Sequence, residues 1–156
     1  MISHRVFPWA LAATALLLAL AGNPATAAAQ TPGELLEPEK AFRISARALD
    51  RRSVEIEFKI ARGYYLYRNR FGIATESGEP LAEIEIPRGK LKEDAFFGKS
   101  ETFRDLVRIR VAVSPKDAAR GSVKLKVTSQ GCADVGVCYT PLEQMVEVSL
   151  PGRGIR

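Results

Sequence analysis

An all-β fold, an antiparallel sandwich of two sheets, is the class this sequence predicts, on three observations. Apolar and polar residues alternate at period two in one segment after another. Gly, Pro and Ser separate those segments as turn formers do, and no window of comparable length carries a helical stripe.

Residues 30–40 (QTPGELLEPEK) are polar and proline-bearing and read as an extended N-terminal arm. The sandwich domain is expected over 41–151, with 152–156 as a short tail. Its first strand alternates through Phe42, Ile44, Ala46 and Ala48, and its second through Val54, Ile56, Phe58 and Ile60. After a turn at Ser77-Gly78-Glu79-Pro80, Ile84 and Ile86 continue the pattern. Val107, Ile109, Val111 and Val113 form the cleanest strand of the chain. Ser114-Pro115 and Ala119-Arg120-Gly121 interrupt it before Val123, Leu125 and Val127, and Val146, Val148 and Leu150 make the last alternation. Seven or so short strands, each with one apolar face, suit two packed antiparallel sheets. There is no internal repeat and no sign of a second domain.

Residues 1–29 are read separately, as a cleavable secretory signal peptide. Trp9 to Ala21 is an apolar run of thirteen residues preceded by His4 and Arg5 and followed by Gly22-Asn23-Pro24 and small residues. A membrane helix needs about twenty apolar residues, so the run is short for an anchor. The Ala-x-Ala triplets ending at Ala27 and Ala29 are two candidate cleavage points, and no later stretch could span a bilayer. The mature chain is therefore expected to be soluble, exported and periplasmic.

Cleavage would remove the only His (His4) and the only Trp (Trp9). A mature domain without histidine excludes Ser-His-Asp and Cys-His catalysis and a His-rich zinc or copper site. The formal charge of +5 is spread unevenly. Residues 43–70 carry eight Arg or Lys against three acids, and 76–105 carry eight acids against five bases. Export and the lack of a basic face interleaved with aromatics argue against nucleic-acid binding; the acidic stretch could help select a protein partner by charge.

Cys132 and Cys138 stand between the last two alternating segments, in a loop containing Gly136 that can fold back and bring the sulfurs together. In an exported protein their default state is a disulfide. So small a ring removes roughly 2–3 kcal/mol of unfolded-state entropy, a modest staple. Short bridges in loops are also the kind that open and re-form. Spacing leaves both roles open. Aromatics nearby favour the second: Tyr64, Tyr65 and Tyr67 are crowded into one segment, and Phe96 and Phe97 stand side by side in a polar loop with Gly98. They either form a satellite hydrophobic cluster or shield a reactive sulfur pair. A copper site from Cys132, Cys138 and Met145 has suitably soft ligands but too few of them.

Three motifs in order, GYYLYR at 63–68, EDAFFGKSETFRD at 93–105 and QGCADVGVCYTP at 130–141, make the chain resemble the amino-terminal domain family of the thiol:disulfide interchange protein DsbD, over roughly residues 38–150. The resemblance implies an immunoglobulin-like sandwich and a redox-active disulfide. It implies an electron carrier between a membrane or thioredoxin-like donor and oxidised thioredoxin-fold proteins. In this likeness Cys138 is the exchanging thiol and Cys132 the resolving one. Phe96 is the cap in loop 94–98, with Phe97 and Gly98, and Tyr65, Tyr67 and Asp94 line the site. Ala95 stands where the family has an acidic residue. The chain stops at Arg156 without a membrane domain, so it is expected either to work with a separately encoded membrane thiol reductase or to serve another task. No Lys or His lies in the cysteine loop, and Asp94 and Asp134 are expected to raise the thiol pKa. No nucleotide, flavin or metal cofactor is expected. The reading from another class is a non-catalytic immunoglobulin-like binding module of the cell envelope with a structural disulfide.

Overall fold

A computed structural model describes residues 34–78, 81 and 83–152. The expected signal peptide over 1–29, residues 30–33 of the expected arm, Glu79 and Pro80 of the expected turn, and 153–156 of the expected tail lie outside the described residues. In chain order the elements are α1 (Pro38–Ala41), β1 (Phe42–Ala48), β2 (Ser53–Ile60), β3 (Tyr64–Tyr67), a 3-10 turn (Arg68–Arg70), β4 (Gly72–Thr75), β5 (Ile84–Glu85), β6 (Lys90–Asp94), β7 (Gly98–Phe103), β8 (Leu106–Ala112), α2 (Pro115–Arg120), β9 (Ser122–Ser129), β10 (Gly131–Ala133), β11 (Val137–Cys138) and β12 (Leu142–Ser149).

The long alternating segments became strands because period two puts every second residue on one face, and water drives that face inward. β2 pairs with β8 so that Val54, Ile56 and Phe58 stand opposite Val111, Ile109 and Val107, and all six are buried. Each such side chain contributes about 1.5–3 kcal/mol on burial. Val123, Leu125 and Val127 of β9, Ile73 of β4 and Val148 of β12 belong to the same core. The intervening residues face solvent as a charge ladder, with Arg108 Nε donating to Glu57 Oε2 at 2.8 Å and Arg47 Nη2 to Glu55 Oε1 at 2.7 Å.

Among the described residues all pairings are antiparallel, as an immunoglobulin-like sandwich requires, but the strands form three hydrogen-bonded sheets rather than two: β1-β2-β8-β5, β12-β9-β4 and β11-β10-β3-β7-β6. The division has a local cause. The 3-10 turn interrupts the chain between β3 and β4, and Gln130 interrupts it between β9 and β10, so both chain segments leave one sheet and enter another. Tyr67 N–H donates to the Gln130 carbonyl at 3.0 Å across that crossing.

Two further features differ from the sequence reading. The arm expected to stay extended through residue 40 closes into the single turn of α1, where Pro38 presets the backbone and Lys40 and Ala41 N–H both reach the Glu37 carbonyl at 2.9 Å. The Ser114–Gly121 interruption holds helix α2, with Ser114 Oγ accepting from Asp117 N–H at 3.2 Å, Pro115 in the first turn and Gly121 at φ 79°. Six residues are too few for a helical period to register. The polar loop around Phe96 and Phe97 is the tip of the β6–β7 hairpin, paired down to Asp94↔Gly98.

Candidate functional site

The site is built on β3, whose four residues Tyr64–Tyr67 are all buried. Both faces of this strand are covered. Tyr64 and Leu66 enter the main core, while Tyr65 and Tyr67 form a second cluster with Cys132, against which Phe97 and Cys138 pack.

β10 pairs with β3 through Gly131↔Leu66, Cys132↔Tyr65 and Ala133↔Tyr64, and β11 pairs back onto β10 with Cys138 opposite Cys132. Gly136 at φ 88° closes the turn between them, a conformation that favours glycine. The cysteines, on facing positions of this hairpin, are joined by a disulfide. Their environments differ. Cys132 is 0% exposed on the inner strand, whereas Cys138 is half-buried on β11, a two-residue edge strand. Gly131 is required by close approach, since a Cβ there would collide with the Tyr65 carbonyl and lie 2.7 Å from Phe42 Cζ.

Asp94 ties the aromatic loop to the sulfurs. Its Oδ1 accepts from the N–H groups of Phe96 and Phe97, both at 3.0 Å, shaping the hairpin tip. Its Oδ2 accepts from Tyr67 Oη–H at 2.6 Å and Tyr65 Oη–H at 3.3 Å. The Tyr67 hydroxyl oxygen lies 3.4 Å from Cys132 Sγ. A disulfide sulfur has no proton to give, so in this state the tyrosine proton serves Asp94. Burial pushes the Asp94 pKa up, but hydrogen bonds from Tyr67, Phe97 and Phe96 and the Lys92 charge outweigh it and hold the carboxyl at about 2. Tyr67 is moved the other way, above the ordinary phenol range, by burial and then by its bonds to Asp94 and Tyr65. Asp94 is therefore an ionised acceptor and Tyr67 a neutral donor at neutral pH.

Phe96 is 50% exposed at the hairpin tip, while Phe97 turns inward, its ring 4.7 Å from that of Tyr67. Ser100 Oγ donates to the Phe97 carbonyl at 3.2 Å, and Gly98 takes the left-handed conformation that ends the tip. The structure thus brings Cys132, Cys138, Tyr65, Tyr67, Asp94 and Phe97 together, with Phe96 and Gly98 beside them on the same tip. Met145 is exposed on β12, in a different sheet from the cysteines, and among the described residues no group of three or more His, Cys, Asp or Glu could hold a metal ion.

The sequence reading missed the cations. Arg104 Nη2 and Nη1 donate to Asp134 Oδ1 and Oδ2 at 2.6 and 2.9 Å, and the guanidinium lies 5.1 Å from the Tyr65 ring centroid. Lys92 Nζ lies 4.6 Å from the same ring and 3.7 Å from Asp94 Oδ2, and Arg70 covers Phe97 at 4.2 Å. The hydrogen bond from Arg104 holds the Asp134 carboxyl below the usual carboxylate range. Both carboxylates expected to burden the thiols are thus matched by a cation, Asp94 by Lys92 on its own strand and Asp134 by Arg104 from the β7–β8 corner. The signal was present, since Arg104 belongs to the 93–105 motif, but only folding puts it beside a residue thirty positions away.

Residues 33–150 match the family model described as thiol:disulfide interchange protein DsbD, N-terminal. The chain is 43% identical over 122 residues to the thiol:disulfide interchange protein DsbD of Ralstonia nicotianae, covering 77% of this chain and 20% of the relative. With that of Escherichia coli K12 it shares 41% over 96 residues, covering 62% of this chain and 16% of the relative. It spans about a fifth of the length of these relatives. Among solved structures, the reduced DsbD n-terminal domain of Neisseria meningitidis superposes with a TM-score of 0.66 at 35% identity, covering 76% of this chain and 92% of that one. A structure of the complex between the DsbD N-terminal and PilB N-terminal domains of the same organism gives 0.61 at 32% identity, over 73% and 87%.

Proposed function

Because the chain belongs to the DsbD N-terminal domain family, we propose that it is a periplasmic thiol-disulfide carrier, accepting reducing equivalents from a membrane thiol reductase and delivering them to oxidised thioredoxin-fold proteins. The observation that carries this reading is the asymmetry of the cysteine pair: Cys138 half-buried on a two-residue edge strand, Cys132 wholly buried beside Tyr67. An incoming thiolate needs an accessible sulfur, and only Cys138 offers one.

In the reducing direction, the Cys138 thiolate attacks one sulfur of the partner's disulfide and the partner's other sulfur leaves as a thiolate. Cys132 then loses its proton and attacks Cys138 Sγ. The Cys132–Cys138 bond forms as the mixed disulfide breaks, and its electron pair departs on the partner sulfur that Cys138 first attacked. The partner gains two electrons and two protons; this domain loses the same. Asp94, held at about 2, is too weak a base to store the Cys132 proton; it orients Tyr67, whose oxygen can accept a hydrogen bond from Cys132 Sγ–H in the dithiol state. Phe96 at the hairpin tip is the movable cover, with Phe97, anchored on Tyr67, as its base. The complex between related domains named above supports docking of a protein partner on this family's fold.

The test is trapping. Reduced Cys132→Ser protein should accumulate a mixed disulfide with a thioredoxin that keeps only its attacked cysteine, activated as the thionitrobenzoate disulfide, whereas Cys138→Ser should form none. Full exchange by Cys138→Ser, or a disulfide potential below about −300 mV, the range of structural bridges, would overturn the reading in favour of a staple.

A further inference from the structure

Once the Cys132–Cys138 bond opens, the outer arm of the cysteine hairpin stays anchored at Tyr139 but is weakly held on the turn side of Cys138. β11 is two residues long, lies at a sheet edge and pairs only with β10. Beyond the bridge its anchors all lie past the cysteine, at Tyr139: its N–H to the Gly131 carbonyl at 3.0 Å, Gln130 Nε2 to its carbonyl at 3.0 Å, its hydroxyl to the Leu36 carbonyl at 2.6 Å, and its ring against Phe42 and Tyr64. The turn between the sulfurs is tied at one point besides its own backbone. Asp134 N–H reaches the Gly63 carbonyl at 2.8 Å, and the Asp134 carboxylate receives both arms of Arg104. Val135, next in the turn, is 77% exposed.

Arg104 is well placed to act as a fixed post. It follows β7 at a tight corner where Asp105 adopts φ 61°, and its Nη1 also reaches the Tyr64 carbonyl at 3.4 Å. With its face over the Tyr65 ring, one guanidinium therefore spans the β7–β8 corner, β3 and the tip of the cysteine hairpin. A bidentate pair of this kind fixes geometry as well as charge.

Resting on the exchange reading above, we infer that Arg104 and Asp134 are positioning residues that latch the hairpin in the dithiol state and keep the Cys138 sulfur within reach of Cys132. Latch and disulfide constrain the same turn, so each makes the other easier to form; by linkage the latch favours the bridge and hastens the closing step that releases the partner. Neither residue touches the reacting atoms in this role.

The experiment compares the parent with Arg104→Gln, Asp134→Asn, the double variant and Arg104→Lys, equilibrated in glutathione buffers at neutral pH with free thiols trapped by alkylation. Each single substitution is expected to lower the disulfide-forming equilibrium constant about three- to fivefold, as suits a half-exposed bidentate pair, a rise in potential of about 14–21 mV. The double variant should match a single one, because either change opens the latch, and Arg104→Lys should fall between. The sign separates a latch from a plain field effect. Removing a cation and removing an anion shift a thiolate in opposite directions, whereas both open the latch. Opposite shifts, additive shifts, or changes under about 1.5-fold in both singles would sink the inference. Should Arg104→Gln unfold, Asp134→Asn carries the test with the guanidinium still stacked on Tyr65. A parent disulfide that glutathione cannot open counts against the exchange reading alone; the comparison then moves to dithiothreitol, where the latch must still shift the constant.

Discussion

Strand β3 feeds two interiors built on different physics. On one side Tyr64 and Leu66 join Phe58, Ile56, Ile109 and Leu125 in a core in which apolar volume and strand register do the work. On the other, Tyr65 and Tyr67 meet Cys132, Phe97 and the ionised Asp94, where every hydroxyl and carboxylate oxygen needs a partner. The first interior tolerates exchange among hydrocarbons of similar size, because dispersion and hydration are non-directional. The second does not, because an unpaired buried polar group costs about 1–3 kcal/mol. One strand can serve both because successive side chains point to opposite faces, so a shift of one residue would exchange the two sets and ruin both.

The comparison is broken hardest by a cavity in the main core. Phe58→Ala should cost about 3–5 kcal/mol in urea unfolding, while the glutathione equilibrium of the cysteines in the folded fraction stays at the parent value. An altered equilibrium would mean that the two interiors are mechanically one. Next in size, Tyr67→Phe keeps the ring against Phe97 and removes one charge-assisted bond to Asp94, at about 1.5–3 kcal/mol.

That same bond gives the second cluster an acid signature. The Asp94 pKa is about 2 in the folded chain, below the unfolded value of about 3.9. Its contribution is therefore complete above the unfolded value and is lost as pH falls from about 4 toward 2. Urea unfolding across that range should show a loss of stability that shrinks in Tyr67→Phe and shrinks further in Asp94→Asn, leaving the part that Asp134, also held low by Arg104, contributes. An unchanged acid profile in Asp94→Asn would remove Asp94 from the account. The smallest effect belongs to neither interior: Arg108→Ala, on the exposed ladder with Glu57, should change stability by about 0–1 kcal/mol. A larger loss would show that the outer face contributes as the core does.

Legibility in the sequence follows the same division. The long strands, their inward residues and the pairing of Cys132 with Cys138 could be read directly, since alternation and a six-residue separation are local properties of the chain. The aromatic and acidic members of the site came from the three motifs rather than from periodicity. Other features were too short to read locally, among them helix α2, the one-turn α1 and the third sheet, which arises where two chain segments change sheets together.

What the sequence by itself determined was which residues must be buried and which two sulfurs can meet. Only the tertiary structure decided that β3 is buried on both faces, that Phe97 packs inward while Phe96 stays half exposed, and that Arg104, Lys92 and Arg70 neutralise or cover the site. Burial pattern is written into neighbouring residues by the geometry of a strand. A charge pair such as Arg104 with Asp134 joins residues thirty positions apart, and no local rule selects one cation among many until the backbone has brought it within hydrogen-bond range.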